Sequence, residues 1–375
     1  MTIFTKIETG NISGEGRRII RHFTPNWFAA TMGTGILAVC LAQFPAMPAL
    51  YDAGEALWVL NILLFSALSA VYAAKWWLYP HDARRVFSHP VLSMFFGCIP
   101  MGLATIINGF VIFGQPLIGD TAIAIAQALW WFDAALAILA GLAIPFAMFT
   151  RQEHAIHEMT AVWLLPVVAS EVTAGSGAML IAHLAPGAAQ FTMLFSSYVL
   201  WACSVPLALG ILVILFLRMA LHKLPPASMG ATGFLALGPI GTGAFGLALF
   251  AANSGSVLAD KGLGALAEAM AGASLLGAVL LWGYGLWWLA IAIATVLSHA
   301  RSGIPFNLGW WAFTFPIGVY AVATLRLGQL LDFSLLTDFG AVLVAALGVI
   351  WLVVVSRTVS GALRGFLFAD PCLES

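Results

Sequence analysis

The chain is built mostly from Leu, Ala, Gly, Phe and Val, so the few residues able to hold or move a charge stand out. Glu171 lies inside the apolar stretch "PVVASEVTAGSGAML" (166–180). An ionisable side chain within such a stretch is a functional candidate by default, and proton exchange is a leading role for it. Glu171 is therefore a candidate proton site, against the plainer reading of a permanently protonated Glu bonded to a neighbouring helix. Asp133 is equally central in its own stretch and suits a contact between helices or subunits. Hydroxyls accompany them at Thr31, Thr34, Ser93, Thr105, Thr173, Ser176, Thr242 and Thr314. A hydroxyl can donate to an anion, or it can bond its own i−4 carbonyl. No Lys or Arg sits at the centre of an apolar stretch. An anion there would depend on hydroxyls and on backbone N–H groups at interrupted helices, whose N-termini carry partial positive charge.

Other patterns carry no chemistry in this setting. "GTGAFG" (241–246) has the letters of a dinucleotide-binding turn, but that turn needs a preceding strand and this one sits in an apolar span. "EHAIHE" (153–158) places His154 and His157 three residues apart in a polar connection, and two ligands do not close a metal site. Cys40, Cys98, Cys203 and Cys372 are scattered, with no metal or disulfide spacing. No cofactor, no metal and no enzymatic constellation of nucleophile, base and orienting group are expected.

These residues sit in a chain that is 62% hydrophobic and 8% charged, with a mean hydropathy of +0.99. An average soluble domain is about 25% charged. Many apolar runs reach the roughly 20 residues that cross a bilayer, so the expected class is an all-α polytopic membrane protein in contact with lipid. A net charge of −1 gives no electrostatic case for nucleic acid. Ten spans are expected, at about 27–43, 57–78, 91–113, 122–149, 162–182, 192–217, 233–253, 266–297, 310–330 and 335–357. Residues 26–358 then form the transmembrane domain, between a polar segment 1–25 without signal-peptide character and a tail 359–375.

Basic residues orient the spans. Lys6, Arg17, Arg18, Arg21, Lys75, Arg84, Arg85, Arg151, Arg218, Lys223, Arg301, Arg357 and Arg364 fall on one side, and Lys261 and Arg326 on the other. The positive-inside rule makes the first side, with both termini, cytoplasmic. The expected location is a cell inner membrane.

The odd spans start about 64–77 residues apart and share small and helix-breaking residues. They carry Gly33 and Gly35, then Gly97 and Pro100, then Gly175, then Gly238, Pro239 and Gly241, then Pro316 and Gly318. Backbone groups freed by a break are tolerated in a membrane only where protein buries them or a watery cavity receives them. Five breaks in phase predict that the odd helices form an inner ring around a pathway, lined by the eight hydroxyls. In "WWAFTFPIGVY" (310–320), Pro316 in a helix interior would bend the chain and can aim Phe315 at the axis.

The stretches "HFTPNWFAATMGTGILA" (22–38), "HPVLSMFFGCIPMGLATI" (89–106), "LGPIGTGAF" (237–245) and "WWAFTFPIGVYAVATLRLG" (310–328) resemble the tellurite-resistance/dicarboxylate transporter family. That family includes malic-acid permeases, sulfite efflux pumps and plant slow anion channels. The resemblance spans about 22–360. It implies ten helices as five hairpins in a quasi-five-fold arrangement around a central pore, a homotrimer with one pore per protomer, and Phe315 as the plug of that pore. Glu171 departs from what a simple anion channel would want. The leading functional expectation is a transporter of small anions, above all C4-dicarboxylates such as malate or succinate, with proton coupling through Glu171. The alternative is an uncoupled gated anion channel, or an exporter of sulfite or another small inorganic anion. A membrane enzyme has no residue set to support it.

The basic-residue bias predicts that cysteines placed at Asp52 or Asp120 react with an impermeant thiol reagent from outside the cell. At Arg84 or Lys223 they should react from inside alone. Labelling of position 84 from outside would overturn the ten-span topology.

Overall fold

In hydrocarbon a chain must satisfy its backbone groups within itself, which leaves a long apolar run little choice but helix. The computed structural model describes residues 14–300 and 303–374, and no strand occurs among them. Lys6 and Arg301 lie outside the described residues. Ten apolar helices are named here α1 (Ala29–Leu41), α2 (Pro48–Leu78), α3 (Cys98–Gly109), α4 (Asp120–Thr150), α5 (Leu165–Leu180), α6 (Ala188–His222), α7 (Leu237–Ala259), α8 (Gly264–Ala300), α9 (Phe315–Leu331) and α10 (Ser334–Leu363). Nine helical stretches among the described residues are long and apolar enough to cross a membrane, and Pro25–Leu41, which contains α1, is a shorter apolar one. The protein is an all-α polytopic membrane protein.

Odd and even helices differ in burial. The most apolar windows of the spans containing α3, α5, α7 and α9 are 72–94% buried, and twelve of the thirteen residues of α1 are buried. The corresponding windows of the even helices are 17–33% buried. Even helices present Leu63, Phe149, Val213, Leu280 and Val349 outward, as a lipid-facing layer does. The odd helices are the core of the protein.

Each odd helix begins as 3₁₀-helix and continues as α-helix. The 3₁₀ segments are Pro25–Phe28, Leu92–Gly97, Ala161–Leu164, Ala227–Ala236 and Leu308–Phe313. This corrects the expected mid-helix breaks. Pro100, Pro166, Pro239 and Pro316 all lie in the first turn of their α segments, where a missing N–H costs little. Pro316 therefore opens α9 rather than bending it. The Trp311 carbonyl accepts from the Thr314 N–H at 3.1 Å and from the Thr314 hydroxyl at 2.7 Å. The prolines inside continuous helices are Pro145 in α4 and Pro206 in α6, both in the outer layer.

The glycines need the same correction. Gly97, Gly238 and Pro239 lie at 3₁₀-to-α junctions, but Gly33, Gly35, Gly175, Gly241 and Gly318 lie inside unbroken helices. Gly33, Gly35, Gly241 and Gly318 serve close packing, the common role of small residues in membrane bundles, whereas Gly175 has room for a methyl. A methyl on Gly33 would strike Thr314 and Trp311, and one on Gly97 would strike the Leu165 backbone carbonyl.

One end of the bundle is tied by charge. Lys75, at the end of α2, donates to Asp370 in the C-terminal segment at 2.7 Å and to the Phe23 carbonyl at 2.8 Å. Both side chains of the pair are completely buried. Arg21 reaches Asp82 at 2.7 Å, and Phe368 stacks on Trp27 with centroids 4.9 Å apart. The chain before α1, the α2–α3 connection and the C-terminal segment therefore meet on one face. Removing one partner of a buried pair typically costs about 3–5 kcal/mol. Asp370→Asn should lower the thermal midpoint sharply in detergent, and Lys75→Met with Asp370→Leu should recover much of the loss. Equal midpoints for wild type and Asp370→Asn would show that the pair does not hold this face together.

Candidate functional site

All five odd helices contribute to one axial chamber. α1 supplies Ile36 and Val39, and α3 supplies Thr105 and Asn108. α5 supplies Glu171, Val172, Gly175 and Ser176, α7 supplies Thr242 and Phe245, and α9 supplies Phe315, Val319 and Val322. The chamber has a volume of about 20 Å³, little more than the space that one water molecule needs. In this conformation it is shut.

A second cavity of about 330 Å³ involves the 3₁₀ ends of the same spans. Asn26, Phe95, Val162, Thr232 and Gly309 line it, together with Phe366 and Leu367 of the C-terminal segment. Along every odd span, the residues of this vestibule precede those of the chamber. On the last one, Leu308 and Gly309 line the vestibule, and Phe315, Val319 and Val322 line the chamber. Phe315 is the first residue of α9, 2% exposed, between the two cavities in sequence. The 3₁₀-to-α junction, rather than a proline kink, sets its position.

Of the eight predicted hydroxyl residues, the chamber brings together Thr105, Ser176 and Thr242. Thr31, Thr34, Ser93, Thr173 and Thr314 are not among its lining residues. Their hydroxyls serve the helices. Thr31 donates to Phe28 O at 2.7 Å, and Thr173 bonds the Asp133 carboxyl at 2.7 Å. Thr34 accepts from the Trp351 indole at 3.1 Å, and Ser93 accepts from the Gln152 amide at 3.0 Å. Even the lining Thr105 donates back to Gly102 O at 2.7 Å.

Asn108, Phe245 and the aliphatic residues of the chamber were not singled out by the sequence reading, which sought hydroxyls and glycines. Asn108 is 7% exposed, its Oδ1 has no partner, and its side chain makes no hydrogen bond. Among the chamber's polar side chains, its amide is the donor left uncommitted.

Glu171 occupies a definite hydrogen-bonding position. Thr242 Oγ1 lies 2.6 Å from Glu171 Oε1 and 2.7 Å from Gly238 O. One hydroxyl has one proton, so it cannot donate to both oxygens. A proton on Glu171 satisfies both contacts: the carboxyl donates to Thr242, and Thr242 donates to Gly238. Oε2 of Glu171 has no partner. Asp133 repeats the arrangement between α4 and α5, with Thr173 Oγ1 2.7 Å from its carboxyl and 3.1 Å from Ala169 O. In the α4–α5 connection, His154 bonds Gln152 at 2.9 Å and packs edge-on against Trp163, while burial lowers its imidazole pKa.

A closed axial chamber inside a ring of buried helices, wrapped by a lipid-facing layer, defines a membrane channel or transporter. The chain matches the model of the voltage-dependent anion channel family over residues 22–359, and it belongs to that family. A sulfite efflux pump of Arthroderma otae is 38% identical over 349 residues, 91% of each chain. An uncharacterised transporter of Methanocaldococcus jannaschii is 29% identical, over 94% of this chain and 98% of its own. A malic acid transport protein of Schizosaccharomyces pombe is 24% identical, over 94% of this chain and 80% of its own. The protein is accordingly an anion transporter in the broad sense.

Glu171→Gln mimics the protonated side chain, since its amide can still donate to Thr242. Its thermal midpoint should stay within the small shift of a conserved hydrogen bond, a net effect of about 1 kcal/mol or less. If Glu171 carries a coupling proton, anion uptake driven by a pH gradient should be abolished, with downhill exchange retained. Wild-type dependence on the gradient would leave Glu171 a purely structural group.

Proposed function

We propose that the protein moves small oxyanions of the sulfite class through the axial chamber, with Phe315 as the gate between vestibule and chamber. The observation that carries this reading is that Phe315 lines a 20 Å³ chamber without a cationic side chain and follows in sequence the residues that line a 330 Å³ vestibule. An apolar ring closes such a passage by excluding water. The relationship to sulfite efflux pumps, the most similar of the relatives described above, supports this substrate class. A C4-dicarboxylate is the second reading, supported by the relationship to a malic acid transport protein, and either anion requires the chamber to open.

In this scheme Asn108 supplies a hydrogen-bond donor to the anion, a protonated Glu171 leaves the site without a repelling charge, and Thr105 and Ser176 can turn their hydroxyls inward. The ten apolar helices cross an inner membrane with the 3₁₀ ends and both termini in the cytoplasm, as the basic residues favour. Residues 26–358 form the transporter domain and the protomers assemble as trimers, each with its own chamber.

The test is Phe315→Ala in liposomes loaded with sulfite, chloride or succinate. Passive anion flux should rise by at least about tenfold, the effect of some 1.4 kcal/mol on a barrier. If Phe315 merely packs, truncation costs about 3–5 kcal/mol of stability, as for any buried Phe, and lowers yield without raising flux. Stable, assembled Phe315→Ala protein with unchanged or reduced flux would overturn the gate.

A further inference from the structure

A second aromatic ring faces the chamber. Phe245 on α7 is a lining residue, partly exposed where Phe315 is almost wholly buried. Its depth follows from the contact between α7 and α9, which run in the same direction because both start at the vestibule. A methyl on Gly241 would meet Tyr320 N at 2.8 Å and Val319 Cγ2 at 3.0 Å, so Gly241 is level with Val319 and Tyr320. Phe245 is one turn further on. At 1.5 Å per residue, its backbone lies about 12 Å beyond that of Phe315 along the axis.

Beside the ring, on the neighbouring helix α5, the chamber lining has no side chain at Gly175. A methyl on Gly175 would stand 3.6 Å from Cδ1 and 3.9 Å from Cε1 of Phe245. Those are ordinary contact distances, so Gly175 is not required there by close packing, unlike Gly33 or Gly97. Its missing side chain leaves space beside the ring.

We propose that Phe245, facing Gly175, is the specificity-determining ring of the pathway and sets the largest anion that passes once Phe315 has opened. This rests on the reading that Phe315 is the gate. The two rings have different duties. Phe315 decides whether the chamber connects with the vestibule. Phe245 decides what leaves the far end, because its edge and the adjoining Gly175 backbone line the chamber there. Val322 and Val39 are the neighbouring lining residues, and they are aliphatic.

The inference makes opposite predictions for the two walls. Phe245→Ala widens the passage and Gly175→Ala narrows it, and the added methyl fits without displacing a neighbour. The measured quantity is the ratio of succinate to sulfite flux in liposomes, in the wild-type and Phe315→Ala backgrounds. An apolar site distinguishes ligands that differ by one methylene about tenfold or more. Phe245→Ala should therefore raise the ratio about tenfold, Phe245→Leu should raise it less, and Gly175→Ala should lower it. If Phe245→Ala does not assemble, Phe245→Leu and Gly175→Ala still carry the test. A ratio that stays constant, or moves in one direction for both walls, overturns the proposal. If Phe315→Ala fails to raise flux while the ratio still follows Phe245 and Gly175, the gate reading falls and the selective ring stands.

Discussion

Every backbone N–H and C=O inside hydrocarbon must find a partner, because an unsatisfied group there costs several kcal/mol. The inner ring of helices is organised around that demand. A proline leaves a carbonyl without its usual donor, so Pro100, Pro166, Pro239 and Pro316 sit in the first turn of their α segments, after a 3₁₀ lead-in. Hydroxyls then support the surrounding carbonyls: Thr31 bonds Phe28 O, Thr105 bonds Gly102 O, Thr242 bonds Gly238 O and Thr314 bonds Trp311 O, each at 2.7 Å. The Thr and Ser content of the odd helices is thus largely committed to the backbone, leaving a chamber with few free donors.

That commitment explains which features were legible in the sequence. The odd/even division was readable, because small residues recur in phase on helices that must pack backbone against backbone, and burial separates the same two classes. Glu171 and Phe315 were also readable, one as a charge in an apolar run and the other through its proline and the family resemblance. The hydroxyls misled, since a Thr that donates to its own helix and one that faces a cavity look alike in sequence. Gly33 and Gly175 are also indistinguishable there, yet one prevents a collision with Thr314 and Trp311 while the other leaves space facing Phe245. Asn108 and Phe245 gave no local signal, because what marks them is the inward side of a helix whose neighbours all face protein.

The absence of a fixed cation in the chamber has consequences for an anion pathway. A buried Arg or Lys would hold an anion tightly, whereas hydrogen bonds from an amide and hydroxyls hold it weakly, as a conducting site requires. A carboxyl placed among them changes character with one proton. Protonated, Glu171 is bonded to Thr242 and leaves the chamber uncharged. Ionised, it opposes the entry of any anion and leaves the Thr242 proton shared between two acceptors. Under the transport reading, proton occupancy at Glu171 and anion occupancy of the chamber therefore favour each other, which is the elementary condition for moving them together.

Dehydration then decides where selectivity can act. The vestibule has room for an anion with its water shell, whereas the chamber, about 20 Å³ when shut, must open before an anion enters it. The cost of removing that shell is large in a low-dielectric interior and grows steeply with charge. A compact monoanion such as hydrogensulfite loses less than a dianion and needs fewer replacement donors, so the chamber's single uncommitted amide goes further towards satisfying it. A four-carbon dianion faces that penalty twice over and must also fit past Phe245. Under the proposed gate, charge and size then act on the same substrates at different depths: the dehydration penalty at Phe315, and the steric limit about 12 Å further along, at the ring beside Gly175.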